Sequence, residues 1–545
     1  MNIIMKLFVR YLIVCILISI PAITSSAQRK PAATDIITSE DLESYVSFLS
    51  SPLLKGRKNG EPGLEIAQQY IISQAKVLGL RPANNGSYLQ PYSMVITTID
   101  QEKTSIEVFS DGKSTLLNLP VYQLLPAGPS DFTVEGEIVF AGYGLRTDTY
   151  SYNDFAGIKT EDKILLVMLG APTDENGKYL FEGTPWSSFM SIQVKLSSLL
   201  FTKAKAVIFV CDPKSGKFSL EEQFPGYAGE LSETRNLKGE KSTVFQLPGL
   251  PKIMFIHRSV ADEILKDSEY TLEELQKKID TDLKPHSFSI DGKTIKISEV
   301  SKTYETEYYN IAAFIEGSDP GLKNEYVIFS CHADHIGTSG NLVNCGADDN
   351  ASGCAALLSI AEGFQSLEKK PLRSILFLWV SGEEIGLYGS KSYIMNPLVP
   401  LENCIADLNM DMIGRVKEAA DSTEDTPMTG PTDVFLITDN QSKELRSILE
   451  ETDKETVLNF DYSLSARDHP LQLFSRSDHF SFVKKDIPAV FFTSGLHSDY
   501  HTPGDVVQKI NFEKMELIAE AMFDIGLTLA NRETRVVVDN PYSKW

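Results

Sequence analysis

Ser374-Ile-Leu-Phe-Leu-Trp-Val380 is followed at once by Ser381-Gly-Glu-Glu-Ile-Gly-Leu-Tyr-Gly-Ser390, so that an apolar run ends in two adjacent acids. A run of this kind, without alternation, reads as a strand covered on both faces, as in a mostly parallel sheet. The pattern recurs nearby. Tyr326-Val-Ile-Phe-Ser330 delivers Cys331-His332-Ala333-Asp334, and Asn409-Met-Asp411-Met-Ile-Gly414 again sets an acid among apolar residues. From about Thr306 strands alternate with helices, and the expected fold class is α/β, a mostly parallel mixed sheet flanked by helices. Open sheets of this type bind ligands beyond the carboxyl ends of their strands, where residues distant in sequence meet in one crevice.

The residues delivered to that crevice are three carboxylates and two imidazoles, His332, Asp348, Glu384, Asp411 and His501, the inventory of a two-metal hydrolase. Asp334, two residues past His332, is placed to orient the other nitrogen of that ring. Gly346-Ala-Asp-Asp-Asn-Ala-Ser-Gly353 leads into an apolar helix. Two consecutive aspartates exceed what one helix cap needs, so Asp348 is read as a bridging ligand and Asp349 as its structural neighbour. Glycosylation at Asn350 would obstruct such a site. Side chains of adjacent residues after a strand diverge, which lets Glu384 bind metal while Glu383 faces water as a base. Thr502 as N-cap and Pro503 at the first helical position would fix the backbone after His501. Carboxylate and imidazole without thiolate suit zinc, two ions per chain, with manganese or cobalt as substitutes.

The rest of the chain sets the context. At 545 residues it exceeds what one core usually supports, and a net charge of -23 offers no footprint for nucleic acid or an anionic membrane. Lys6 and Arg10, the apolar stretch Tyr11 to Ile20 and Ser25-Ser26-Ala27 read as a secretory signal, with the mature protein beginning at Gln28 and lying in a secreted or periplasmic location, free of the membrane. The five cysteines left are too few, and odd in number, for a disulfide framework. Helices are expected over Ser39 to Ser50, Leu64 to Leu78 and Leu272 to Lys278. Between them lie β-rich runs such as Val134-Glu-Gly-Glu-Ile-Val-Phe140, Lys163 to Leu169 and Ala206 to Val210, and a polar stretch, Lys214 to Leu247, that suits a surface excursion.

Together the histidine, aspartate and glutamate motifs, with Tyr500-His-Thr502, resemble the M28 family of co-catalytic zinc peptidases. Ser51-Pro-Leu-Leu-Lys-Gly-Arg57 and Gly79-Leu-Arg-Pro82 are similar to that family's N-terminal part, and the β-rich block resembles the protease-associated domain often inserted there. The implied organisation is a signal at 1–27, the N-terminal part of the peptidase domain at 28–105, the insert at 106–290, the catalytic domain at 291–536 and a tail at 537–545. The resemblance implies that Asp348 bridges both ions, with His332 and Asp411 on one and Glu384 and His501 on the other. It also implies Glu383 as general base, Tyr500 as an oxyanion donor, a cis peptide between Asp348 and Asp349, and Arg476 and Asp478 near the substrate. Peptides would be the substrates, cleaved from the amino end. A carboxypeptidase or dipeptidase, a single-zinc glutaminyl cyclase and a non-enzymatic scaffold are the alternatives.

Overall fold

The structure is a computed structural model that describes residues 34–117, 120–123, 130–148, 150–174, 180, 195–223, 233–240, 251–418, 427–438 and 441–542. The expected signal sequence and cleavage site therefore lie outside the described residues.

Four parallel neighbours form the centre of a ten-stranded sheet, in the order Ser374–Val380, Tyr326–His332, Cys404–Met410 and Ala489–Thr493. Ser374–Val380, Cys404–Met410 and Ala489–Thr493 are buried at every position, as inner strands are, and the first and last have the mostly apolar sequence that such a place favours. Antiparallel partners extend the sheet on both sides. Ser301–Ile315 pairs with Ser374–Val380 and with Leu89–Ile99, while Asp433–Ile437 pairs with Ala489–Thr493.

Alternate side chains feed two cores. Phe329, Phe377 and Trp379 point into one with the helices Ser39–Leu49, Gly353–Ser366 and Phe512–Asn531. Ile328, Leu376 and Leu378 point into the other with Tyr388–Met395 and His479–Val483. The first of these helices starts where Thr38 accepts the N–H of Asp41, and the last where Asn511 accepts that of Lys514.

Between Leu89–Ile99 and Ser301–Ile315 the chain leaves this sheet and builds a second one of eight strands, reached from paired positions Ile99 and Ser301. Its middle strands, Phe132–Phe140, Ile164–Met168, Ala206–Val210 and Lys252–Ile256, run parallel over cores of their own. The excursion is not confined to the surface. Its Glu233–Leu237 segment returns to the large sheet and pairs antiparallel with Leu89–Ile99, placing Leu237 in a small core with Tyr92, Met94 and Tyr308. No helix among the described residues is long and apolar enough to cross a membrane. The five cysteines among the described residues are free and buried, and the Cys331 and Cys354 sulfurs stand 3.8 Å apart.

Candidate metal centre

The carboxyl ends of the parallel strands converge as their sequence pattern predicts. His332 closes Tyr326–His332, Asp411 follows Cys404–Met410, and Glu383 and Glu384 stand in the turn after Ser374–Val380. His501 comes from the loop beyond Ala489–Thr493 at φ 55°, a left-handed conformation that aims its ring back at the crevice.

Two groups of donor atoms result. In one, His332 Nε2 lies 3.2 Å from Asp411 Oδ1 and 3.3 Å from Asp349 Oδ1. In the other, His501 Nε2 lies 3.0 Å from Glu384 Oε2 and 3.2 Å from Asp349 Oδ2. Ligands held about 2.0–2.1 Å from a tetrahedral ion are separated by about 3.3 Å, so both groups have the spacing of a coordination shell. Asp349 contributes one oxygen to each. Buried carboxylates outnumber the imidazoles here, and such an excess of anion demands compensating cations. The electrostatics agree: burial would lower the His501 imidazole, yet Glu384 and Asp349 push it up to about 12. Residues and geometry thus fit a pair of zinc-type ions.

Asp348, expected at the shared position, belongs to neither group. Its Oδ1 accepts the Gly414 N–H at 2.6 Å, and its Oδ2 lies 3.5 Å from His497 Nε2. Burial and the neighbouring Asp505 push its carboxyl up to about 8. The reason is the path of the turn. Gly346 is left-handed, and the Asp505 carboxylate accepts the N–H groups of both Asp348 and Asp349, which turns the second aspartate, not the first, into the crevice. The cis peptide is shifted by one residue in the same sense, to Asp349–Asn350. Asn350, fully buried, caps Gly353 N–H and donates to Met410 O.

Asp334 serves the site differently from expectation. The His332 Nδ1 atom is 3.2 Å from the Asp334 carbonyl oxygen and 3.8 Å from its carboxylate. The carboxylate instead accepts the backbone N–H groups of Glu383 and Glu384, each at 3.3 Å, and so seats the glutamate turn. Burial, reinforced by Asp411 and Glu384, raises the Glu383 carboxyl well above the usual range, despite the opposing effect of His332.

Glu383, Asp349 and Asp411 face a cleft whose opposite wall holds Leu473, Phe491 and Leu496. Tyr500 also lines it, its ring stacked 3.8 Å from that of His501. Arg476 is exposed at the lip, with Nη2 3.5 Å from Tyr500 Oη. Asp478 does not reach the cleft: it is fully buried at the start of His479–Val483, behind the site and in contact with the Ser390 hydroxyl. Thr502 and Pro503 open no helix. Thr502 Oγ1 accepts from Gly504 N–H in a turn, and the next α-helix begins at Phe512.

His335 escaped the sequence reading. Its Nδ1 is 2.6 Å from Glu384 Oε1, the oxygen turned away from His501, and 3.6 Å from Asp349 Oδ2. The only signal was a second histidine three residues after the first. Ser477, whose hydroxyl donates to Asp411 Oδ2 at 2.8 Å, was equally silent.

Imidazole–carboxylate groups sharing one aspartate at the carboxyl edge of a parallel sheet, beside an uncommitted glutamate, define the class as a metal-dependent hydrolase. Residues 310–525 match the family described as Peptidase family M28. A probable leucine aminopeptidase of Arthroderma otae is 26% identical over 319 residues, 56% of this chain and 79% of the relative. Leucine aminopeptidase 1 of Trichophyton equinum is 27% identical over 226 residues, 40% of this chain and only 56% of its own length. Among solved structures, a zinc aminopeptidase from Bacillus subtilis aligns over 92% of this chain and 98% of its own, with a TM-score of 0.51 and 18% identity, a likeness of fold.

Proposed function

We propose that the protein is an exported dinuclear zinc aminopeptidase that releases N-terminal residues from peptides. The observation that carries this reading is the division of the Asp349 oxygens between two donor groups, each with tetrahedral spacing. His332 and Asp411 would hold one ion, Glu384 and His501 the other, and Asp349 would bridge them in the role first assigned to Asp348. His335 would orient Glu384 by donating to Oε1, leaving Oε2 for the ion.

Zinc held by these residues would supply Lewis-acid chemistry, lowering the pKa of a water and polarising the scissile carbonyl. Glu383, seated by Asp334, takes the proton of the attacking water and returns it to the leaving nitrogen. The Tyr500 hydroxyl, beside Arg476, donates to the oxygen that gains charge in the tetrahedral state. The apolar wall of Leu473, Phe491 and Leu496 receives a side chain. Preference for the amino end is supported by the names of the fungal relatives. The second sheet is proposed to be a protease-associated insert that limits substrate length over the cleft.

The test is a panel of free-amine, N-blocked and C-blocked peptides, run beside metal analysis of the purified protein. About two zinc ions per chain and cleavage confined to free-amine substrates are expected. Cleavage of N-blocked peptides through their intact carboxyl ends would replace the aminopeptidase reading by the carboxypeptidase one.

A further inference from the structure

The segment Ser51-Pro-Leu-Leu-Lys-Gly-Arg57 is remote from every residue assigned a role above, yet its last side chain lies under the metal centre. Arg57 is only 1% exposed. Its Nε donates to Ala333 O at 3.0 Å, Nη1 to Cys345 O at 2.8 Å and to Leu49 O, and Nη2 to Gly346 O at 3.0 Å and Asp349 O at 3.4 Å. A guanidinium has five N–H groups in a rigid planar fork, and here all are directed at backbone carbonyls. Four of those carbonyls belong to the two loops that carry donor atoms, the one after His332 and the one that ends in Asp349.

The backbone of the same segment completes the clamp. Arg57 O accepts the His335 N–H at 3.1 Å, and Gly56 O accepts the Gly337 N–H at 3.0 Å. Gly56 has φ +71°, and a Cβ there would stand 2.4 Å from both Gly337 O and Asn344 O, so the chain passes as close to the loops as backbone permits. Burying a guanidinium is costly unless every donor is met and its charge answered. Carbonyls meet the donors, and the Asp349, Asp505 and Asp334 charges lie near enough to be felt by the cation. A core cation serving stability alone has no need to reach both ligand loops and the carbonyl of the shared aspartate itself.

We propose that Arg57 is a positioning residue of the metal centre: its side chain fixes the loop after His332 against the loop bearing Asp349, and thereby sets the distance between the two donor groups. This rests on the dinuclear reading above. Arg57 touches no substrate and takes no part in proton transfer. Its effect is on ligand geometry, and so on metal affinity first and turnover second.

Arg57→Lys keeps the charge but replaces the planar fork by a point donor that cannot serve carbonyls in two loops. Arg57→Ala removes both. The measurement is zinc affinity and stoichiometry by competition with a chromophoric chelator, alongside thermal unfolding of the zinc-free proteins and kcat and KM on an aminoacyl nitroanilide. For Arg57→Lys, zinc affinity is expected to fall about 10- to 100-fold, the usual effect of losing a group that orients metal ligands, and kcat to fall with KM nearly unchanged. Millimolar guanidinium is expected to restore part of the zinc affinity of Arg57→Ala but not that of Arg57→Lys, whose side chain fills the place. If Arg57→Ala does not fold, the comparison rests on the lysine variant. Wild-type zinc affinity and kcat in Arg57→Lys, with only the unfolding temperature lowered, would overturn the proposal in favour of a purely structural cation. Wild-type protein that binds two zinc ions without hydrolysing peptides would overturn the peptidase reading while leaving the affinity comparison decisive for Arg57. Wild-type protein that binds no zinc would overturn both.

Discussion

Exchanging each member of the Asp348-Asp349 pair for asparagine discriminates between the two possible bridges. In Asp349→Asn the carboxamide offers one oxygen where the structure uses two, Oδ1 toward His332 and Oδ2 toward His501. Tetrahedral zinc sites release about 10–16 kcal/mol on binding, or about 3 kcal/mol for each of four ligands. On the dinuclear reading one ion of the pair would lose a ligand outright and should bind about 100-fold more weakly, while the other would keep a neutral donor in place of an anionic one. Asp348→Asn behaves differently. Its remaining oxygen still accepts the Gly414 N–H, and the carboxyl it replaces is already pushed up to about 8 by burial and Asp505, so the exchange removes little charge near neutral pH. A stability change below about 1 kcal/mol is expected, the scale of one altered neutral hydrogen bond, with both ions retained. The assay is zinc stoichiometry against a competing chelator, with leucine nitroanilide hydrolysis measured on the same samples. Loss of metal from Asp348→Asn with two ions kept by Asp349→Asn would refute the argument from donor spacing.

Three other outcomes follow from the same geometry. Glu383→Gln should keep its zinc and lose about 10²- to 10⁴-fold in kcat, the range for a removed general base; a variant that loses its metal instead would make Glu383 a ligand. His479 is fully buried against Phe491, with ring centroids 5.1 Å apart, and burial lowers its imidazole to about 3. The unfolded chain binds that proton at about pH 6.5, so stability is lost as pH falls below 6.5, by about 1.4 kcal/mol per unit and about 2 kcal/mol at pH 5. His479→Phe should flatten this slope in urea unfolding of the zinc-free protein at pH 7 and pH 5, and equal slopes in both proteins would place the acid sensitivity elsewhere. Leu237→Ala removes a side chain only 4% exposed from the small core under Ile385 and should cost about 2–4 kcal/mol in chemical denaturation; a cost under about 0.5 kcal/mol would show that Glu233–Leu237 is not docked on the large sheet.

How much of this was legible in the sequence depended on whether a feature is local. The strand Ser374–Val380 was, because a strand covered on both faces is mostly apolar without alternation, and Ile375 to Val380 is. So was the kind of chemistry, since acids and histidines at strand ends have few other uses. Glu233–Leu237 was not, because Glu-Thr-Arg-Asn-Leu has no alternation and a single apolar residue, and becomes a strand only by pairing at the sheet edge. Asp478 was misplaced for a related reason: sequence next to an exposed Arg476 says nothing of which way a short helix turns its first residue.

The aspartate pair shows where such reading stops. Asp348 and Asp349 are the same residue type one position apart, and composition, spacing and flanking glycines are shared by both. What separates them is Asp505, which holds both backbone N–H groups and so turns one side chain toward Gly414 and His497 and the other into the crevice. Arg57 presents the same difficulty at longer range, since its five acceptors include carbonyls 276 to 292 residues away. A site built at strand ends draws its atoms from short motifs, and those can be read. Its geometry is set by the long-range contacts between the loops that carry them, so a one-residue change in register at a buried turn reassigns a ligand without altering a single motif.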